Sequence, residues 1–155
     1  MTRSLRPLLA TTRIFLFAYA LAVSQQPAML STRVLGNFLT DNAFLGIAAV
    51  GMTFVILSGG IDLSVGAVIG FTTVLVAVLI MWLNLHPLIA FTIALAVATA
   101  FGAIMGAAIH YLKVPSFIVT LAGMFLARGG ASVLSPDSIG IEHPFFTAVQ
   151  KSYIL

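Results

Sequence analysis

Cysteine is absent from this 155-residue chain. Disulfide frameworks, thiolate metal sites and cysteine nucleophiles are therefore excluded. Charge is nearly absent as well. Seven basic and four acidic residues make up 7% of the chain, against about 25% in average soluble domains. So few charges cannot cover the surface of a compact soluble domain. A soluble monomer, a disordered tail and a nucleic-acid module that depends on a basic face are all excluded. The net charge is only +3. Sequence signatures of common chemistry are missing too: G-x-x-x-x-G-K-[ST], G-x-S-x-G and H-E-x-x-H do not occur. The first absence rules out ATP binding by a P-loop, and the other two argue against an intramembrane hydrolase. His86, His110 and His143 lack metal-ligand spacing and read as interfacial or loop histidines, so neither a metal nor a cofactor is expected. What the chain does have is apolar surface, with 61% hydrophobic residues and a mean hydropathy of +1.16. The class that fits is an all-α integral membrane protein.

Fifty uncharged residues separate Asp62 from Lys113. Two membrane helices of about 20 residues fit there. Asn84-Leu85-His86-Pro87 divides them, because proline opens a helix at its first turn and ends one placed upstream. The predicted spans are 63–83 and 88–111. Upstream, twenty uncharged residues between Asp41 and Asp62 support a span over 37–57. Downstream, 117–134 is long enough to cross but contains Arg128. At the N-terminus, Arg3, Arg6 and Arg13 precede an apolar run. This is either a signal peptide or, in the reading preferred here, an uncleaved first helix over about 14–30. The expectation is a single transmembrane domain over 1–155 with about five helices and a polar loop at 135–151. The terminal Ser152-Tyr153-Ile154-Leu155 reads as the start of a further span. Five spans with the N-terminus inside place Arg3, Arg6, Arg13 and Lys113 in the cytoplasm, which obeys the positive-inside rule. A rival topology, in which 58–64 re-enters without crossing, obeys it equally.

The segment Ser58-Gly59-Gly60-Ile61-Asp62-Leu63-Ser64-Val65-Gly66 stands out. Paired glycines weaken a helix by about 1 kcal/mol each relative to alanine, and Asp62 is costly at membrane depth. Irregular backbone cannot face lipid, so this segment faces protein or water. It is either a helix break lining a transport route, with Ser58, Asp62 and Ser64 in contact with freed backbone or substrate, or a tight turn in which Asp62 or Ser64 caps the next helix. Arg128 is either a buried cation facing a polar cavity or a side chain snorkelling to the interface. Gly66 and Gly70, and Gly102 and Gly106, form G-x-x-x-G pairs, which signal close helix packing. Asp62 is the only acid available for ion coupling within a span, which weakens a reading as an ATP-independent secondary transporter or channel.

Two longer runs resemble a known family. Gly51-Met52-Thr53-Phe54-Val55-Ile56-Leu57-Ser58-Gly59-Gly60-Ile61-Asp62-Leu63-Ser64-Val65-Gly66 is the first. Lys113-Val114-Pro115-Ser116-Phe117-Ile118-Val119-Thr120-Leu121-Ala122-Gly123-Met124, followed by Arg128-Gly129, is the second. In that order they resemble the membrane permease subunits of bacterial ABC importers for monosaccharides, the ribose/xylose/galactofuranose group. Ser31-Thr32-Arg33-Val34 and Leu39-Thr40-Asp41-Asn42-Ala43-Phe44-Leu45-Gly46 resemble the galactofuranose branch. The resemblance covers nearly all of the chain but only the N-terminal half of a family member. It implies a multi-pass inner-membrane subunit with its N-terminus in the cytoplasm that conducts sugar and does no covalent chemistry. It implies three partners besides lipid: an ATP-binding subunit, a periplasmic sugar-binding protein and a second permease chain. It also implies that Ser58, Gly59, Gly60, Asp62, Ser64, Gly66, Thr120 and Arg128 serve the translocation pathway or the helix break that shapes it. A remnant, stable only when another chain supplies the missing helices, is the remaining alternative.

Overall fold

The structure is a computed structural model and describes residues 5–152. Arg3, counted above among the cytoplasmic charges, and residues 153–155, read above as the start of a further span, lie outside the described residues. The regular elements of the described chain are all helical: α1 (Leu5–Gln25), a 3-10 turn (Pro27–Leu30), α2 (Thr32–Asp41), α3 (Ala43–Leu57), α4 (Val65–Met81), α5 (Pro87–Tyr111), α6 (Ser116–Leu134) and α7 (Pro144–Ser152). Three stretches are long and apolar enough to cross a membrane, Pro7–Gln25, Pro87–Tyr111 and Ser116–Leu134, and the pair α2 and α3 qualifies only when joined across a bend of 52°. Helix α4 is apolar but has 17 residues, or about 26 Å against a hydrocarbon core of about 30 Å. Two compact units form, one up to Val50 and one from Gly51 onward.

In the first unit the helices end where side chains compete with the backbone. The sequence predicts one helix over 14–30. Instead α1 stops at Gln25 and the chain turns through Pro27–Leu30, held by Tyr19 Oη donating to the Met29 carbonyl at 3.3 Å. The expected 37–57 segment is two helices. Asn42 donates through both its main-chain N–H (3.2 Å) and its side-chain Nδ2 (2.8 Å) to the Phe38 carbonyl. A side-chain amide inserted into the ladder in this way ends one helix and bends the chain before the next.

In the second unit α4 packs mainly against α6 and also against α5. Lipid tails are as apolar as leucine, so such contacts depend on close approach rather than on the hydrophobic effect. Small residues supply it: Ala90 and Ala94 of α5, and Gly123 and Ala127 of α6, are buried. A cluster of Val76, Leu79, Ile80, Ala90 and Ala94 is covered by Ile141 and Phe146 from the last loop and α7. Two helix starts share one device. His86 Nδ1 accepts from Leu88 N–H at 3.3 Å before Pro87, and His143 Nδ1 accepts from Phe145 N–H at 3.1 Å before Pro144. Each imidazole thus satisfies a first-turn N–H that the helix leaves unpaired.

Candidate functional site

The irregular segment 58–64 joins α3 to α4. It begins where α3 ends. Gly60 N–H donates to the Val55 carbonyl and Gly59 N–H to the Ile56 carbonyl, both at 3.0 Å. This is a Schellman ending, with Gly59 in the left-handed region at φ +76. The Ser58 hydroxyl donates to the same Val55 carbonyl at 2.7 Å, a second bond on that helix end. A Cβ on Gly59 would meet nothing within 4 Å, so its requirement is conformational only. Gly59→Ala is expected to destabilise the chain by about 1 kcal/mol. Gly129→Ala, at a helical glycine that also faces open space, is expected to be neutral or slightly stabilising. Thermal unfolding of the two variants in one detergent compares them directly.

The other end of the segment starts α4. Asp62 Oδ1 accepts from both Ser64 N–H (2.7 Å) and the Ser64 hydroxyl (2.6 Å). Ser64 is 1% exposed, so this carboxylate satisfies a polar residue that would otherwise be buried unpaired. A negative group just before a helix N-terminus also suits its dipole. Asp62 therefore organises the turn into α4, while Ser64 makes no side-chain cap bond of its own.

The middle of the segment is held from α6. Ile61 N–H donates to Ser116 Oγ at 3.1 Å, and the Thr120 hydroxyl lies 3.2 Å from the Ile61 carbonyl. Thr120 Oγ1 also lies 2.8 Å from the Ser116 carbonyl, so its one proton serves both acceptors. Residues four apart share one helix face. Ser116 and Thr120 thus grip the N–H and C=O of a single residue from one face of α6. The turn before α6 is itself unusual, because Lys113 has φ +56, a conformation uncommon for residues other than glycine.

These elements surround a cleft of about 650 Å³. Residues 58–62 form one wall. Gly102, Met105, Gly106 and Ile109 of α5 form another, and Lys113 to Ser116 with Thr120 close the end. Gly102 and Gly106, which the sequence suggests as a packing face, have open space where a Cβ would stand and line the cleft instead. Of the candidate residues, Ser58, Gly59, Gly60, Asp62 and Thr120 meet at this cleft, and Ser64 sits behind Asp62. Gly66 lies exposed at the second position of α4. Arg128 is exposed on α6, eight residues beyond Thr120 and so about 12 Å further along the helix. Sequence reasoning missed Ser116. Its only signal is a hydroxyl pair at i and i+4 immediately after Pro115. Among the described residues, no group of three or more His, Asp or Glu is placed to hold a metal ion.

Comparison with known proteins follows the same segments. Residues 34–145 match the family model described as branched-chain amino acid transport system / permease component. The chain is 56% identical over 145 residues to the inner membrane ABC transporter permease protein YjfF of Escherichia coli (strain K12), covering 94% of this chain and 44% of that protein. It is 35% identical over 153 residues to the fructose import permease protein FruG of Bifidobacterium longum (strain NCC 2705), covering 96% and 45%. It is 45% identical over 121 residues to the xylose transport system permease protein XylH of Escherichia coli (strain K12), covering 74% and 31%. The chain thus spans less than half the length of these relatives. No solved structure matches it.

Proposed function

We propose that residues 58–64 and the cleft beside them form part of a sugar-translocation route, because the chain belongs to the branched-chain amino acid transport system / permease component family. The names of two relatives, fructose and xylose permeases, support a monosaccharide as the cargo. The carrying observation is an irregular polar segment, anchored at three points, that lines a cleft between apolar helices. Such backbone is tolerated at membrane depth only where it meets protein or water. The cleft volume of about 650 Å³ falls within the range of about 300–1,000 Å³ of small-molecule sites.

In this reading the chain is a transport subunit and performs no covalent chemistry. In the same reading ATP is bound and hydrolysed by a separate ATP-binding subunit. A periplasmic binding protein delivers the sugar, and a second permease chain completes the pathway. Binding and hydrolysis of ATP on the partner switch the helices between two packings, and the cleft opens to one side in each. Arg3, Arg6 and Arg13 favour a cytoplasmic N-terminus.

Uptake of labelled monosaccharide tests this reading, in cells carrying the permease with its ATPase and binding protein. Uptake is expected to require ATP and to survive collapse of the proton gradient. Asp62→Asn is expected to slow it, by loosening the turn into α4, without changing the ATP requirement. Uptake that follows the proton gradient without ATP overturns the proposal in favour of a secondary transporter, with Asp62 as its coupling acid.

A further inference from the structure

The ten residues of α2, of which 37–41 fall in the expected 37–57 span, are poorly suited to crossing a membrane. Over Thr32–Asp41 the apolar side chains are Val34, Leu35, Phe38 and Leu39, and every other position is polar or glycine. At about 100° per residue these four fill one arc of about 140°. Arg33, Gly36, Asn37 and Thr40 occupy the opposite side, and Asp41 lies at the edge of the apolar arc beside Val34. Helix α3, which follows, is apolar around its whole circumference apart from Thr53.

Three structural observations separate α2 from the helix that follows it. It is capped at both ends as an independent helix: Ser31 Oγ accepts from Val34 N–H at 3.3 Å, and Asn42 closes the last turn on the Phe38 carbonyl. It is bent by 52° from α3. Its apolar face is uncovered, with Val34 37%, Leu35 42%, Phe38 65% and Leu39 71% exposed. Ten residues measure about 15 Å, half of the hydrocarbon core.

We propose that α2 does not cross the membrane but lies along the lipid–water interface, with Val34, Leu35, Phe38 and Leu39 in the acyl boundary and Arg33, Asn37 and Thr40 in the headgroup layer. A short helix with one apolar arc and one polar arc carrying a cation takes that position in a bilayer. The occupant of the apolar face is lipid, because the helix it leads into, α3, is apolar all round and exposes Phe44, Ile47 and Val50. If α3 has an ordinary tilt of about 20° and the two inclinations add, the 52° bend brings α2 within about 20° of the membrane plane. Asn42 is then the corner at which the chain turns from the interface into the bilayer.

The test uses the absence of cysteine. Single cysteines are placed at each position from 32 to 41 in the full chain in inner-membrane vesicles and labelled with a nitroxide. Collision with oxygen and with a water-soluble nickel chelate then reports depth. An interfacial helix gives depth that oscillates with a period of 3.6 residues, with 34, 35, 38 and 39 on the oxygen side and 33, 36, 37 and 40 on the nickel side. Its mean depth drifts by no more than about 5 Å from end to end. A crossing helix gives a steady rise of about 1.5 Å per residue, and that result overturns the proposal. Shielding of all four apolar positions from both reagents also overturns it, because the face is then covered by protein. Neither result depends on what the chain transports.

Discussion

Removing the two hydroxyls that grip Ile61, by combining Ser116→Ala with Thr120→Val, is expected to release residues 58–64 from α6 and speed amide exchange in that segment about 30-fold. Two hydrogen bonds lost at about 1 kcal/mol each correspond to a shift of that size in a local opening equilibrium. Both bonds bridge distant parts of the chain, Ile61 N–H to Ser116 Oγ and Thr120 Oγ1 to the Ile61 carbonyl. Thr120 is 4% exposed, so water cannot easily replace its hydroxyl. Valine has nearly the shape of threonine, so the pair removes bonds with little change in volume. Thr120→Ser keeps the hydroxyl and loses a methyl, and it should leave exchange close to wild type. Exchange measured by mass spectrometry on peptides covering 58–64 distinguishes these outcomes. If the double variant exchanges at the wild-type rate, the segment is held by its two ends alone, through Gly59 and Asp62, and α6 does not position the cleft wall. Uptake should fall with loss of protection if the cleft is the route of the sugar.

The difference between what was legible and what was not follows from how local each determinant is. The membrane class rests on composition, which no packing detail can alter. The start of α5 was marked by Pro87, whose fixed φ acts on its own residue and the one before it. The irregularity of 58–64 was visible in two adjacent glycines. Its anchoring was not, because Ile61 and Ser116 are fifty-five residues apart and neither carries a pattern that names the other. The role of Asp62 was legible only as a choice between turn and pathway. The structure shows the turn, with the Asp62 carboxylate on Ser64, and places the residue at the cleft proposed above as the sugar route. The bend at Asn42 escaped because hydropathy averages over a window, whereas a single side-chain amide bonded to the Phe38 carbonyl ends a helix. His86 and His143 read as ordinary loop histidines because capping by Nδ1 leaves no signature beyond a following proline.

The second large effect expected is at Gly123, where α5 and α6 cross. A Cβ placed there would collide with Met105 Sδ, and the Phe101 ring edge stands 3.6 Å behind it. Methionine is unbranched and adaptable, so Gly123→Ala is absorbed in part by a new Met105 rotamer. Valine extends towards Phe101 as well, and Gly123→Val is expected to cost about 1–3 kcal/mol through overpacking. In lipid this loss is not offset by hydrophobic burial elsewhere, because helix association depends on close packing. Met105→Ala empties the contested volume. The double variant should therefore be more stable than Gly123→Val alone, with a coupling of about 1–2 kcal/mol in a double-mutant cycle read by thermal unfolding. Simple additivity would mean that the two residues do not meet. The same cycle reports on the cleft. Met105 lines it, and Gly123 lies three residues beyond Thr120 on the helix that grips Ile61. Prying α5 from α6 should thus raise amide exchange at 58–64, and Met105→Ala should restore it. If stability falls while exchange at 58–64 is unchanged, the clamp on Ile61 is independent of the α5–α6 contact, and the cleft wall is set by α6 alone.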